Sequence, residues 1–358
     1  MTLDTLATPA LLLDAERLER NLGAMQDRAR RLQVRLRPHA KTHKSAAVAR
    51  RQLDGGAAGL TVATLAEAEY FAAHGCADLT WALPFPVSRL DAARALAERI
   101  TLRVTLDSPE TAQALETSGF PWRVWLKVDC GYHRAGVDPR TTAAHDLARQ
   151  LADSGTLQFE GLLTHSGHAY HARTPEARRD IAEQEREAVA TFRARLADDG
   201  IAVEASVGST PAMTAVDNLS GVQEMRPGNY VFYDAMQVTI GSCTRDDVAV
   251  SVLATVVSAP AGLDHVVIDA GALALSKDTG CTDPPHFGVV SREDGTAVPG
   301  AIVRGISQEH GVVTAKLPVG TRVRVTPNHS CLTAACFDEY IVTRRGVVID
   351  RWEIGRRR

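Results

Sequence analysis

The sequence predicts an α/β fold: a (β/α)8 barrel of the TIM type followed by a C-terminal all-β domain. Eight short apolar segments alternate with stretches of helical period, and this helical period stops after about residue 233. Such alternation is typical of parallel α/β folds, and an open doubly wound sheet shares this local signature. No G-x-G-x-x-G follows the first strand, which lowers the dinucleotide-binding alternative.

The barrel prediction depends on short apolar segments that are predicted to be strands, each followed by a polar turn. The predicted strands are 34–39, 59–64, 78–83, 102–107, 123–129, 158–165, 203–208 and 222–226. A first helix is indicated by apolar residues alternately four and three positions apart, from Leu18 to Leu32. Further helices are predicted at 65–74, 88–98, 143–153 and 175–197, so strands and helices alternate as a barrel requires.

The predicted domains divide the chain at residue 235. Residues 15–235 form the barrel, and residues 236–358 form the β domain, which the strand at 8–14 joins. The β domain is predicted from β-branched runs separated by Gly, Pro, Asp and Asn turns, at 248–257, 265–269, 322–326, 340–343 and 347–352.

Composition excludes several functional classes. The 358 residues carry 40 Lys and Arg against 43 Asp and Glu, a formal net charge of -3, so a nucleic-acid partner is not expected. No apolar run reaches the length of a membrane span, and residues 1–14 lack a basic region followed by an apolar core. The six cysteines form no C-x-x-C pair, which fits a reducing compartment. We therefore expect a soluble cytoplasmic protein without a membrane partner.

The first barrel strand ends in an unusual cationic segment. Only five of the basic residues are lysines, and two of them, Lys41 and Lys44, lie in the segment from Arg37 to Lys44 together with two histidines. A lysine among other cations is shifted toward the neutral amine, which attacks carbonyls or holds a Schiff base. The alternative interpretation is a solvated basic loop.

Four more strand ends carry polar or glycine-bearing loops, where barrel active sites form. The loop at 164–171 holds three histidines and a tyrosine, whereas the loop at 130–136 also fits an ordinary glycine turn. The loops at 207–211 and 226–230 follow the seventh and eighth strands, where barrels often bind phosphate. Together these loops predict a phosphate-containing ligand.

A possible metal pair lies in the β domain. His329 and Cys331 are two residues apart, which places both side chains on one side of an extended segment. Imidazole and thiolate bind zinc, but two ligands leave the ion needing others or water. From these residues alone, a turn with one buried cysteine is the favoured interpretation. The polar loop at 307–311 has no role that its spacing reveals.

Taken in order, these motifs resemble the D-serine dehydratase and D-threonine aldolase group of fold-type III pyridoxal-phosphate enzymes, relatives of alanine racemase. The resemblance runs from Thr8-Pro9-Ala10 through 37–44, 131–136, the Thr164-His165 loop, 208–211 and 226–230 to the His329/Cys331 pair. It implies a barrel and a β domain, and a homodimer with pyridoxal 5'-phosphate and a divalent metal as cofactors.

The resemblance also implies roles for individual residues. Lys41 corresponds to the lysine that forms the Schiff base with the cofactor, Arg134 to the arginine that reaches its phenolic oxygen, and Tyr170 is a candidate partner of the pyridine nitrogen. His165 is placed with the cofactor-binding residues, while His168, His171 and His310 receive no role. The residues expected to hold the phosphate are Ser209, Thr210, Gly228 and Asn229.

The metal pair favours one reaction. His329 and Cys331 match the H-x-C of zinc-dependent dehydratases, whereas the aldolases of the group tend to carry H-x-D, which suits manganese or magnesium. Zinc is therefore expected, with manganese, cobalt and magnesium as alternatives. The expected reaction converts a D-β-hydroxy amino acid such as D-serine, D-threonine or 3-hydroxy-D-aspartate to a 2-oxo acid and ammonia.

Three alternatives stay open at this point. Aldol cleavage would give glycine and an aldehyde from the same kind of site. An amino-acid racemase needs an acid or base on each face of the cofactor ring and gives no reason for a metal pair. A non-catalytic pyridoxal-phosphate-binding protein resembles a small single-barrel family without a β domain. The sequence leaves open the substrate, the metal and the subunit that supplies the metal pair.

Overall fold

The computed structural model describes residues 3–355. Its strands, in chain order, are β1 Ala10–Asp14, β2 Arg35–Leu36, β3 Leu60–Val62, β4 Asp78–Pro84, β5 Thr101–Leu106, β6 Arg123–Lys127, β7 Gln158–Leu163, β8 Glu204–Val207, β9 Glu224–Met225, β10 Val250–Ser258, β11 Val266–Ile268, β12 Gly288–Arg292, β13 Ala297–Ile306, β14 Gly311–Val313, β15 Arg322–Pro327, β16 Glu339–Arg344 and β17 Val347–Glu353.

The helices fall between most of the early strands and become short after β8. They are α1 Ala15–Arg31, α2 Ala46–Asp54, α3 Leu65–Ala73, α4 Leu90–Ala97, α5 Pro109–Thr117, α6 Thr142–Asp153, α7 Pro175–Asp198, α8 Thr210–Ala215, α9 Ala235–Thr239, α10 Ala272–Leu275 and α11 Ser330–Ala334. None of the helices described is both long and apolar enough to cross a membrane.

The chain folds into two compact units. One contains Met25–Lys41 and Ala49–Gly228, and we call it the barrel unit. The other, the β unit, contains residues 3–24, Thr42–Val48 and residues 229–355. The chain therefore passes between the units within α1, after Lys41, within α2 and after Gly228, and the domain boundary at residue 235 stays a prediction. The last residues of the predicted β domain, 356–358, lie outside the described residues.

The barrel unit contains a sheet of eight parallel strands in the order β2-β9-β8-β7-β6-β5-β4-β3. All eight predicted barrel strands are present. A parallel bridge between His39 and Thr61 joins the two outer strands of this order, with the Ala40 N–H donating to the Thr61 carbonyl at 2.8 Å. The carboxyl ends of parallel strands share one edge, so the polar loops after them are brought to the same side.

Local sequence signals explain the helices between these strands. Ser108 and Thr174 cap α5 and α7 by accepting from backbone N–H groups at 3.2 and 3.1 Å, and a proline follows each cap. A hydroxyl cap followed by proline is a strong helix start because proline lacks the N–H that would otherwise be unpaired. The core-facing side of α7 is buried along its whole length, at Arg178, Ala182, Glu185, Val189, Phe192 and Leu196.

The β unit is built on a second, mostly antiparallel sheet in the order β11-β14-β13-β12-β15-β10-β1-β16-β17. A further pairing of β10 with β11 closes its first six strands into a ring. Strand β1 lies antiparallel to β10 and parallel to β16, and Leu12, Leu253 and Ile341 from these three strands pack in one apolar cluster. The N-terminal strand is therefore part of the β unit.

The C-terminal β domain is present, and it contains short helices that the sequence pattern did not show. The helices α9, α10 and α11 interrupt the strands, and each has only four or five residues. One helical turn takes about 3.6 residues, so such short helices leave no repeating pattern in a sequence. Strands β12, β13 and β14 were not predicted, because glycine and Pro299 interrupt the β-branched pattern there.

Candidate active site

Lys41 lies just beyond β2, at the carboxyl edge of the parallel sheet. Its side chain is half-buried, and its backbone N–H donates to His39 Nδ1 at 3.4 Å. Arg37, earlier in the same segment, is buried and paired with Glu224, whose Oε2 lies 2.6 Å from Arg37 Nε. Because these residues are buried or half-buried and Arg37 is paired, the segment is not a solvated basic loop.

Several positive charges act on the imidazoles of His39 and His165 in the barrel unit. Burial first, and then the charges of Lys41, His165 and Arg226, lower the pKa of His39 well below its usual value. The pKa of His165 is lowered in the same way by burial and by the charge of Lys41. Both imidazoles are therefore neutral near pH 7, which leaves Lys41, Lys127, Arg134 and Arg226 as the cations of this region.

His165 has a defined orientation at the end of β7. Its Nδ1 lies 2.6 Å from the Gly208 carbonyl oxygen. A carbonyl accepts only, so Nδ1 carries the proton and donates, and Nε2 of the neutral ring keeps its lone pair. The ring therefore offers one hydrogen-bond acceptor to a ligand.

Lys127 ends β6 and is one of the buried groups that the site analysis of the sequence missed. Burial, followed by the charges of Arg226 and Arg134, lowers the pKa of its amine to about 8. The Nζ atom donates to the Ala82 carbonyl at 3.4 Å. The available signal was the rarity of lysine. The chain has only five lysines, and one of them lies near the end of a predicted barrel strand.

Arg226 is held inside the barrel by a polar chain. It donates to Ser206 Oγ at 2.6 Å and to the Thr164 carbonyl, and Ser206 Oγ in turn donates to Glu224 Oε1 at 2.8 Å. Burial lowers the pKa of Arg226 to about 10, so it stays charged at neutral pH. Its guanidinium is therefore fixed within the cationic cluster.

Glu185 connects two of the loops at this edge. Its Oε1 accepts from the backbone N–H groups of Ser166 and Gly208 at 2.9 and 3.0 Å, and its Oε2 accepts from Ser166 Oγ at 2.7 Å. Burial raises the pKa of this fully buried carboxyl despite those donors. Sequence reasoning missed Glu185, although a glutamate in the apolar register of α7 was a usable signal.

The predicted phosphate-binding residues divide between the two units. In the barrel unit, Ser209 caps α8 and its Oγ lies 3.2 Å from Ser166 Oγ, Thr210 is fully buried, and Gly228 follows β9. At the neighbouring Gly208, φ is +143° and a Cβ would lie 2.8 Å from the Arg226 backbone nitrogen. Only glycine permits this approach of the loops after β8 and β9.

Asn229 belongs to the β unit, and its side chain is already engaged there. Its Nδ2 donates to Asp234 Oδ2 at 2.7 Å and to Ser330 Oγ at 2.9 Å, and lies 3.7 Å from Cys331 Sγ. These contacts use the amide donors. A contribution of Asn229 to phosphate binding therefore has to come from its backbone N–H.

Arg134 and Tyr170 lie on the loops after β6 and β7. Arg134 is exposed, and its guanidinium carbon lies 5.0 Å from the centre of the Tyr132 ring. Tyr170 is half-buried on a 3-10 turn, Gly167–His171. Both residues therefore lie at the carboxyl edge of the parallel sheet, which also carries Lys41 after β2 and His165 after β7.

The structure brings together His329 and Cys331 in the β unit, but not on an extended segment as predicted. His329 is the extended residue that precedes α11, and Cys331 is the second residue of that helix. Burial lowers the pKa of His329, but the Cys331 sulfur, the Asp278 carboxylate and Asp234 raise it more strongly, to about 11. The imidazole and the thiol are thus close enough to interact directly.

Two carboxylates that sequence reasoning missed orient this pair. Asp278 Oδ2 accepts from His329 Nδ1 at 2.7 Å, which leaves Nε2 for a metal. The buried Asp234 accepts from the Ser330 N–H and hydroxyl at 3.0 and 3.2 Å, between the two candidate ligands. The Cys331 Sγ also lies 3.2 Å from Thr42 Oγ1. No sequence motif marks Asp278, which contacts His329 only through the fold.

The donor set can be tested against a metal. Nitrogen and sulfur ligands suit zinc better than magnesium or calcium. Residues 3–355 contain no cluster of three or more His, Cys, Asp or Glu side chains arranged to hold an ion. The pair would therefore leave the remaining coordination positions to water or substrate, as in an open catalytic site.

Comparison with known protein families assigns the chain. Residues 13–235 match the family model described as alanine racemase, N-terminal domain, and residues 249–343 match a putative serine dehydratase domain. The first match alone covers more than half of the chain. This chain belongs to the alanine racemase-like family of D-serine dehydratases and D-threonine aldolases. The resemblance inferred from the loops is confirmed.

Curated relatives of this family align with the chain over nearly its full length. It is 39% identical to the D-threo-3-hydroxyaspartate dehydratase of Delftia sp. (strain HT23), with 98% of both chains covered. It is 34% identical to the D-serine dehydratase of Dictyostelium discoideum, over 95% of this chain and 94% of that one. It is also 34% identical to an Arthrobacter D-threonine aldolase, over 98% and 92%.

Solved structures of the family superpose closely. The Delftia dehydratase matches with a TM-score of 0.95 at 39% identity, covering 99% of this chain and 98% of that one. A variant of that enzyme in a metal-free form matches with a TM-score of 0.94 at 38% identity, covering 99% of each chain. This alanine racemase-like chain therefore shares the fold of the family in both of its units.

Proposed function

We propose that this chain is a pyridoxal-phosphate- and divalent-metal-dependent lyase that acts on D-β-hydroxy amino acids. Its expected reaction is dehydration and deamination of D-serine, D-threonine or 3-hydroxy-D-aspartate to a 2-oxo acid and ammonia. The observation that carries the proposal is the near full-length similarity to dehydratases, which extends over the segments that bear Lys41, His329 and Cys331. The family likewise implies pyridoxal phosphate.

The barrel unit has the charge that this cofactor requires. The positive charges of Lys127, Arg134 and Arg226 act on the half-buried His39 and His165, on which Lys41 also acts. A cofactor with a phosphate and a phenolate would offset this positive charge. We assign Lys41 as the covalent attachment point, with Arg134, His165, Tyr170, Ser209, Thr210, Gly228 and Asn229 as the other cofactor-binding residues.

Lys41 is also the proposed base. When bound, the cofactor supplies an electron sink for charge that develops at the substrate Cα. The Lys41 amine, half-buried among cations, takes the proton from that carbon. The neutral state of His39 and His165 leaves both imidazoles able to accept hydrogen bonds but adds no competing positive charge at pH 7.

The metal is proposed to bind His329 Nε2 and Cys331 Sγ. A divalent metal supplies Lewis acidity that makes a hydroxyl a better leaving group. The Asp278 hydrogen bond fixes the His329 tautomer, and the Asp234 contacts fix Ser330 between the two ligands. We propose zinc, from the thiolate and imidazole donors, with manganese, cobalt and magnesium as alternatives.

The second candidate is aldol cleavage to glycine and an aldehyde. The relative that favours it is the D-threonine aldolase with 34% identity. The thiol of Cys331 favours dehydration, because the aldolases of the group tend to carry an aspartate at this position. Racemase activity does not explain the pairing of His329 with Cys331. A non-catalytic cofactor-binding role does not explain the β unit.

Product analysis tests this proposal. The protein is incubated with pyridoxal phosphate, zinc or manganese, and each of D-serine, D-threonine and 3-hydroxy-D-aspartate, before and after chelation with EDTA. Keto acid and ammonia that disappear on chelation and return with zinc support dehydration. Glycine and an aldehyde that return with manganese support the aldolase. Activity that is indifferent to chelation contradicts the metal's role.

Three finer points complete the proposal. We propose that the eight parallel strands form a closed TIM-type barrel, which the bridge between His39 and Thr61 supports. We also propose that the protein is a cytoplasmic homodimer that acts on a small-molecule D-amino acid without a nucleic-acid or membrane partner. Size-exclusion chromatography with light scattering tests the dimer.

A further inference from the structure

His168 has an unusual environment for a histidine. It lies on the 3-10 turn Gly167–His171 after β7, and both of its ring nitrogens are buried. Neither nitrogen has a hydrogen-bond partner among residues 3–355. Native proteins rarely leave buried polar atoms unpaired, and leaving both nitrogens of one ring unpaired is more unusual still. A bound ligand would supply the hydrogen-bond partner that this ring lacks within residues 3–355.

The position of this ring is fixed by stacking. The His168 and Tyr132 rings lie 5.9 Å apart at an angle of 26°. Gly167 makes the arrangement possible, because a Cβ at this position would lie 2.2 Å from Tyr132 Cε1. Any larger residue at 167 would displace the Tyr132 ring. The imidazole of His168 is therefore held in one orientation before a ligand binds.

The same tyrosine ring connects His168 to the proposed cofactor-binding residues. Arg134 lies over the Tyr132 ring at 5.0 Å, and His165 meets its edge at 6.3 Å and 76°. The loops that carry these residues follow β6 and β7, at the edge of the sheet where barrel active sites form. His168 thus belongs to the same cluster as Arg134 and His165.

The charge of the cluster indicates what it binds. Arg134, Lys41 and Lys127 are positive, and their charges act on His165. Two carboxylates near these loops already accept hydrogen bonds. Glu185 accepts from the N–H groups of Ser166 and Gly208. Asp129 accepts from the N–H groups of Gly131 and His133. An anionic ligand is therefore the partner that this cluster lacks, and an imidazole N–H is a suitable donor to a carboxylate.

We propose that His168 donates a hydrogen bond to a carboxylate of the substrate and acts as a specificity-determining residue. The inference rests on the proposed function, since it assumes an amino acid substrate in the barrel unit. Every D-amino acid offers its α-carboxylate, whereas 3-hydroxy-D-aspartate also offers a β-carboxylate. Contact with the second group would make this chain selective for acidic D-β-hydroxy amino acids.

The experiment measures binding with ligands that have no β-hydroxyl and so cannot be dehydrated. D-Alanine has only the α-carboxylate, and D-aspartate has both. Each is titrated into the cofactor-loaded protein, and the change in the visible absorbance of the cofactor gives the dissociation constant. The variants are His168→Phe, which keeps a ring that stacks on Tyr132, and His168→Gln, which keeps a donor.

Loss of a hydrogen bond to a charged group weakens binding by about 10- to 100-fold. We expect His168→Phe to weaken the binding of D-aspartate by this factor. In His168→Gln, part of the lost affinity should be retained. If D-alanine is unaffected, the contact is to the β-carboxylate. If the binding of both ligands weakens equally, the contact is to the α-carboxylate. Unchanged dissociation constants for both ligands would overturn the proposal.

Two controls separate this inference from other failures. His171→Phe changes an exposed histidine on the same turn and should leave both dissociation constants unchanged. Thermal unfolding and cofactor absorbance of His168→Phe should match those of the unaltered protein, which shows that the variant folds and binds cofactor. If the unaltered protein shows no spectral response to either ligand, the proposed function itself fails, independently of His168.

Discussion

Asp278 Oδ2 lies 2.7 Å from His329 Nδ1, and 51 positions separate the two residues in the sequence. If the ring binds a metal in its neutral form, this carboxylate would keep the remaining proton on Nδ1 and leave the Nε2 lone pair for the metal. The same carboxylate contributes to the raised pKa of His329. His329 thus has a hydrogen-bond partner that the fold supplies and the local sequence does not.

Asp278→Asn tests this relationship. The amide loses the charged acceptor of the His329 N–H, and we expect metal affinity to fall by about 10- to 100-fold. Equilibrium dialysis with zinc, followed by elemental analysis, measures the effect without relying on turnover. Asp283→Asn, at an exposed carboxylate of the same segment, is the matched control. Equal zinc affinity of Asp278→Asn and the control would show that the carboxylate does not support the pair.

Cys331→Asp should change the preferred metal. The substitution replaces a soft thiolate with a hard oxygen donor, so preference should shift from zinc toward manganese. Competition dialysis with both metals measures the ratio bound by each protein. Cys336→Ser, five positions further along, controls for loss of a thiol that is not a proposed ligand. A ratio that Cys331→Asp leaves unchanged would mean that Cys331 does not bind the metal.

Glu185→Leu should destabilise the barrel unit and weaken cofactor binding. It leaves the N–H groups of Ser166 and Gly208 without their buried acceptor, at an expected cost of about 1–3 kcal/mol in the free energy of unfolding. Urea unfolding and a cofactor titration measure the two effects. Glu185→Gln retains an acceptor oxygen and should recover most of the loss. Equal stability of the Leu and Gln variants would argue against a role for these hydrogen bonds.

The lowered pKa of Lys127 predicts how the free energy of unfolding of the cofactor-free protein depends on pH. Burial lowers its pKa from 10.5 to about 8 in the folded state, so the unfolded chain binds more protons between these pH values. The free energy of unfolding should therefore rise with pH from about 8 to about 10.5, by at most ~1.4 kcal/mol per pH unit from this group.

Urea unfolding across that range compares the unaltered protein with Lys127→Met. The difference in the free energy of unfolding between the two should shrink as pH rises, because the variant lacks the buried charge. Lys316→Met removes an exposed lysine and serves as the control. A difference that stays constant from pH 8 to 10.5 would mean that folding does not lower the Lys127 pKa.

The barrel was predictable because its signal is local. Each strand is a short apolar run ending in a polar turn, and hydroxyl-proline starts such as Thr174-Pro175 mark helices without tertiary information. The β unit was harder, since β13 contains Pro299 and Gly300 and since α11 is too short to show a period. A pattern based on repetition cannot identify a single helical turn.

The candidate residues that the sequence identified come from motifs that lie within one loop, and their roles stay predictions. Lys41, His165, Ser209 and Cys331 all come from such segments. Glu185 contacts Ser166 in the barrel unit and Asp278 contacts His329 in the β unit, and only the fold creates these hydrogen bonds between distant positions. Asn229 shows the converse, because its place in a motif suggested a phosphate ligand while its amide contacts Asp234 and Ser330.

The most direct test of the account is the covalent attachment of the cofactor. Borohydride reduction of the protein loaded with pyridoxal phosphate, followed by proteolysis and mass spectrometry, identifies the modified lysine among the five in the chain. We predict the pyridoxyl group on Lys41 and its loss, with the visible absorbance band, in Lys41→Ala. A label on Lys127 or another lysine, or no label at all, would contradict the assignment of Lys41 and the function built on it.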